Sequence, residues 1–140
     1  MSAFCRLMFA LGAAGMLSGV GLGAFAAHGL RAVLPAAALA AFRTGVEYQI
    51  YHALGLLAIG AIAAHGGDRR VLRWAGGLMA AGILLFSGSL YAMALAAGGP
   101  VRWELGAPFG GSAWLVAWLL VIVTALTARP PRPAAVAGGG

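Results

Sequence analysis

The chain has 140 residues, of which 62% are hydrophobic and 9% charged, and its mean hydropathy is +0.94. A soluble domain of this size cannot bury so much apolar surface, and there is no room for a separate soluble catalytic unit. The formal charge of +6 does not point to nucleic acid, because all nine basic residues are Arg and they are dispersed at the ends of apolar segments, where lipid head groups and topology call for them.

Four apolar segments fill the chain: Leu7–Ala27, Gly45–Ala64, Trp74–Ala97 and Ser112–Ala128. A helix rises ~1.5 Å per residue, so about 20 residues cross a ~30 Å hydrocarbon core. The expected fold is therefore an all-α membrane protein, a bundle of four transmembrane helices forming one domain over residues 1–128. The fourth segment is the shortest.

Cys5 is the only cysteine, so no internal disulfide is expected; it reads as a free thiol near the membrane surface. Arg6, Leu7–Ala24 and Ala24-Phe25-Ala26 imitate a secretory signal. The apolar stretch is longer than the usual run of about 7–15 residues and three more segments follow, so an uncleaved first span is expected. In that span Gly12, Gly15, Gly19 and Gly23 recur at steps of three, four and four, on one face. Lipid tails supply no hydrophobic drive for association, so such small residues mark close packing, within the bundle or between copies.

Pro35 suits a first helical position, and Leu39, Phe42 and Val46 recur at helical spacing. Ala36–Arg43 is therefore expected as a short interfacial helix, with Gly45 bending it into the second span. The densest polar cluster follows: Arg43, Thr44, Glu47, Tyr48, Gln49, Tyr51 and His52. Arg43 with Glu47, Glu47 with Tyr51, and Tyr48 with His52 are one turn apart and can pair along a helix.

His65–Arg70 reads as a tight basic turn and Trp74 as an interface anchor. Gly77, Ala81, Gly88 and Ala92 put small residues on one stripe of the third span, while Ser87 and Ser89 can bond back to carbonyls. The Gly98–Gly111 loop carries Arg102, Trp103 and Glu104, and its Gly/Pro stretch lacks the lysine and hydroxyl of a phosphate loop. Trp114 and Trp118, four apart, are expected to pack or to face lipid. The tail, residues 129–140, is expected to be disordered. Arg6, Arg69, Arg70, Arg73, Arg129 and Arg132 fall on one side of a four-span topology, against Arg31, Arg43 and Arg102 on the other, which favours both termini in the cytoplasm.

Ionisable groups at membrane depth raise a functional question. His28 and His52 suggest haem ligation if they face each other. With Glu47 they supply three metal ligands. Glu47 and His52 suggest a proton or solute path. The plainer alternative is that Arg43, Glu47 and the tyrosines satisfy one another near the interface. Three acids in all leave hydrolytic chemistry unsupported.

Four stretches in order resemble a known family. Gly23-Ala-Phe-Ala-Ala-His-Gly-Leu30 is similar to its GAFGAHGL stretch, with Ala26 where glycine is usual. Phe42-Arg-Thr-Gly-Val-Glu-Tyr-Gln-Ile-Tyr-His52 is similar to its F-x-T-G-V-x-Y-Q-x-x-H stretch. Gly82–Tyr91 resembles its third span and Pro108-Phe-Gly-Gly111 its P-x-G-G turn. This is the YgdD-like group of small bacterial inner-membrane proteins, a domain of unknown function with mitochondrial relatives. The resemblance implies four helices and an inner-membrane address, brings no accepted activity, and points to His28, Gly45, Tyr48, Gln49, His52, Ser87, Gly88 and Tyr91 as motif positions.

The leading expectation is a non-enzymatic accessory or assembly subunit without a cofactor, whose partners are the bilayer and a larger membrane complex or further copies of itself. The alternatives are a small proton-coupled carrier using Glu47 and His52, and a haem, quinone or metal module.

Overall fold

The computed structural model describes residues 1–66, 70–96 and 105–127. Four helices are long and apolar enough to cross a membrane. Helix α1 covers Ala3–His28, α2 Ala36–Gly66, α3 Arg70–Leu95 and α4 Gly106–Leu126, and a 3₁₀ turn at Leu30–Ala32 follows α1. Within α3, residues Ile83–Ser87 form a π turn, in which the Gly88 N–H reaches back five residues to the Ile83 carbonyl. No strand occurs among the described residues. The expected turn residues Asp68 and Arg69, the loop residues Arg102, Trp103 and Glu104, and the tail with Arg129 and Arg132 lie outside the described residues.

The expected short interfacial helix is not a separate element. Ala36–Arg43 forms the opening turns of α2, which runs unbroken through Gly45. Alanine-rich sequence favours continuation of a helix. A straight course also keeps Phe42 and Val46 buried with Ala26, Leu30 and Ala94. The missing side chain at Gly45 serves contact rather than bending: a Cβ there would lie 2.8 Å from Tyr91 Cε1.

The fourth span also starts earlier than expected. Gly106–Gly111, expected as loop, forms the first turns of α4. Pro108 is tolerated there because the first-turn N–H groups have no intrahelical partner. Gly110 then lets α4 approach the α3 backbone, since a Cβ at this position would lie 2.5 Å from the Phe86 nitrogen.

Half of α2's most apolar stretch is buried, against 17% for α1, 28% for α3 and 22% for α4, so α2 is the central helix. Helix α1 packs mainly on α2, and α3 mainly on α4. One core, around Met8, Leu56, Ile59, Leu72, Met79 and Trp114, joins all four helices and also holds Cys5. Cys5, in the first turn of α1, is a free thiol buried within the bundle, and the Ser2 hydroxyl that caps α1 donates to its sulfur at 3.1 Å. A second cluster, around Leu30, Phe42 and Ala94, binds the far ends of α1, α2 and α3.

At ~1.5 Å per residue, the 21 residues of α4 match the hydrocarbon thickness. Gly106 at its start lies against Ser89. The last turns of α3, the first turns of α2 and the end of α1 therefore rise beyond the slab that α4 spans. Arg31 and Arg43 lie at this projecting end, and Arg6, Arg70 and Arg73 at the opposite one.

Candidate functional site

The polar residues of α2 occupy nearly three turns, so they point in different directions. Gln49 faces α1 and α3 and is 5% exposed. Its amide nitrogen donates to the Gly15 carbonyl at 2.9 Å and to the Ser18 hydroxyl at 2.8 Å. Its oxygen accepts from the Tyr91 hydroxyl at 2.9 Å. Ser18 passes its own proton on to the Ala14 carbonyl at 2.8 Å. One side chain thus ties three helices together, and each polar group has a partner where unpaired ones are costly.

The glycines of α1 make this reach possible. A Cβ at Gly15 would lie 2.9 Å from Ala53 Cβ, and one at Gly19 would lie 2.8 Å from Ile50 Cγ1. Gly12 meets Leu57 and the Ala53 carbonyl as closely, whereas Gly23 has looser contact with Val46. On α3 the close approaches fall at Gly76, against Met8, and at Gly82, against Trp114. Gly77 and Gly88 meet nothing within 4 Å, and Ala81 is half-buried. The packing face of α3 is therefore offset from the expected stripe. Adjacent glycines at 76 and 77 left the face open in sequence. Ser87 is fully buried, and its hydroxyl has no partner among the described residues.

His52 faces α4 and is 7% exposed. Its Nδ1 lies 2.7 Å from the Tyr48 carbonyl. A carbonyl only accepts, so Nδ1 carries the proton and Nε2 of the neutral ring presents a lone pair. The imidazole stacks on Trp114 with ring centroids 3.5 Å apart and planes 6° apart. Trp114 is held in turn by its indole N–H, which donates to the Met79 carbonyl at 3.2 Å. Tyr48, Phe86 and Trp118 complete an aromatic cleft of about 320 Å³ beside His52.

Glu47 points outward. It accepts from the Tyr51 hydroxyl at 2.6 Å, and both residues are exposed. Arg43 is exposed, and no ion pair joins it to Glu47 among the described residues. Thr44 bonds back to the Ala40 carbonyl at 3.1 Å.

The expected meeting of His28 and His52 does not occur. Where α1 crosses α2, Gly23 lies over Val46, Gly19 over Ile50 and Gly15 over Ala53. His28 is therefore about eleven residues, or roughly 16 Å, along the axis from the level of His52. Glu47 and His52 are five residues apart, which rotates them about 140° from each other. No group of three His, Cys, Asp or Glu that could hold a metal occurs among the described residues. Ser18 and Tyr91 complete the Gln49 network; the family resemblance points to Tyr91, whereas nothing in the sequence singles out Ser18.

A family model described as "Protein of unknown function (DUF423)" matches residues 22–111. The UPF0382 membrane protein YwdK of Bacillus subtilis is 42% identical over 86% of this chain and 97% of its own length. A UPF0382 membrane protein of Haemophilus influenzae is 44% identical over 71% of this chain and 77% of its own. The UPF0382 inner membrane protein YgdD of Escherichia coli is 39% identical over 76% of this chain and 79% of its own. No solved structure matches. With four apolar helices and matches of this extent, the chain belongs to the DUF423 (UPF0382) family of membrane proteins.

Proposed function

We propose that this chain is a non-enzymatic multi-pass subunit of the bacterial inner membrane that works through helix contacts, as an accessory or assembly component of a larger complex. The observation that carries this reading is the attachment of α1 by a single face. Its glycines are occupied by α2, and a crevice of about 280 Å³ remains between α1 and α3, walled by Leu11, Ala14, Ser18, Ala80, Ile83 and Leu84. Farther along α3, Gly77 leaves its backbone open. Close backbone approach is what drives helix association in lipid, and this side of the bundle still offers it.

The carrier reading has weaker support, because Glu47 and His52 face different sides and Gln49 is fully engaged within the bundle. The arginine bias supports placing both termini in the cytoplasm; a C-terminal reporter that is fluorescent only in the cytoplasm tests this. For the assembly reading, the protein is purified from native membranes in mild detergent, with photo-crosslinkers at Leu84 and Gly77. A stoichiometric partner crosslinked from these positions is expected. A monodisperse single chain with no crosslinked partner rejects it.

A further inference from the structure

The aromatic cleft beside His52 is lined by a ring nitrogen that the bundle does not satisfy. Nδ1 is committed to the Tyr48 carbonyl, which leaves Nε2 as an acceptor. No side chain or backbone group among the described residues donates to Nε2, and His52 lines the cleft. The depth of this atom decides what can fill the role. Trp114, on which the imidazole stacks, is eight residues into α4, about 12 Å from the helix start. Water is scarce at that depth, and an unpaired polar atom there is costly. A donor must come from the hydrocarbon phase itself.

The cleft describes that donor. Its other walls are Tyr48, Phe86, Trp114 and Trp118, flat rings that favour a flat ring between or upon them. Its rim is open to lipid: Leu115 is 75% exposed and Trp118 40% exposed. A volume of about 320 Å³ is at the small end of ligand sites, enough for one substituted ring and too small for a large polycyclic molecule. A metal is a poor occupant, because His52 has no companion set of His, Cys, Asp or Glu ligands among the described residues.

We infer that the His52 cleft is a binding site for a membrane-dissolved single-ring phenol or hydroquinone, whose hydroxyl donates to His52 Nε2 while its ring lies against Trp114 and Phe86. The acceptor character of Nε2 gives the site a direction. A hydroquinone brings hydroxyl donors, whereas its oxidised quinone brings only acceptors and leaves Nε2 unpaired. At His52 Nε2 the reduced form is therefore favoured, without any electron transfer. It stands independently of the assembly reading, since it lies between α2 and α4 and the crevice lies between α1 and α3.

The test uses the full chain in lipid nanodiscs under anaerobic conditions, titrated with trimethylhydroquinone, its dimethyl ether and trimethylbenzoquinone. Tryptophan emission reports binding, and the His52 Nε2 nitrogen resonance reports the hydrogen bond. Saturable binding of the diol, about tenfold tighter than either donor-free compound, is expected together with a shift of the Nε2 resonance. His52→Phe keeps a ring on Trp114 and should bring the three affinities together. Equal affinities in the unaltered protein, absence of saturable binding, or a preference that survives His52→Phe overturns the assignment. If His52→Phe does not fold, the resonance in the unaltered protein decides: a shift with the diol and none with the ether supports the site, and no shift with the diol overturns it.

Discussion

Gln49 and His52 are one turn apart on α2, and both are buried polar side chains in a membrane span. They end in different states. Gln49 has an amide with both ends engaged, and its partners come from two other helices. His52 is bonded only to its own helix, relies on ring stacking for its tertiary contacts, and has one nitrogen unused. The difference lies in what each faces. Toward α1 the missing glycine side chains bring backbone carbonyls within reach. Toward α4 bulky rings keep the backbone away. Burial alone does not mark a residue as structural or functional; the count of satisfied polar atoms does.

The largest effect should come from the aromatic side, through its backbone rather than its histidine. Gly82→Leu would overlap the Trp114 indole, and about 3 kcal/mol or more should be lost in mixed-micelle unfolding followed by tryptophan emission. Gln49→Leu should come next. Three interhelical bonds at about 0.6 kcal/mol each predict a loss of roughly 2 kcal/mol by the same assay. A Gln49→Leu/Tyr91→Phe cycle should show coupling of about 0.6 kcal/mol, and strict additivity would mean that the node is not a unit.

His52→Phe should cost less than Gln49→Leu, under about 1 kcal/mol, because stacking survives and only a bond within α2 is lost. A cost equal to that of Gln49→Leu would erase the distinction between the two sides. The smallest effects should fall outside the core. Gly77→Ala meets open space, and Glu47→Gln alters an exposed pair, so each should stay within about 0.5 kcal/mol.

Sequence pattern went far for the spans and less far for the site. The composition alone placed four helices, because stretches as apolar as Leu7–Ala27 and Trp74–Ala97 have few other stable forms in water or lipid. The three- and four-residue steps of Gly12, Gly15 and Gly19 defined a face in advance, since periodicity is a local property. The role of Gly45 was not legible, because a glycine that bends a helix and one that admits a neighbouring ring look alike in sequence. The Gly106–Gly111 stretch reads as loop by composition, yet its glycines and proline suit a helix start pressed on another backbone. The separation of His28 from His52 depends on where α1 crosses α2, and a crossing level has no local signature. The π turn was invisible for the same reason: an extra residue in a helix shows only when its neighbours fix the register.

That π turn determines which way the end of α3 faces. Each residue in an α-helix advances about 100° around the axis. Deleting one residue between Ile83 and Ser87 would remove the π turn and keep Gly88–Leu95 in phase with Arg70–Gly82, whereas forcing all five residues into ordinary α geometry would shift that phase by about 100°. Tyr91 would then swing off both Gly45 and Gln49, while Gly82 kept its place under Trp114. The third helix therefore has two halves, one aimed at α4 and one at α1 and α2, and the π turn holds the angle between them.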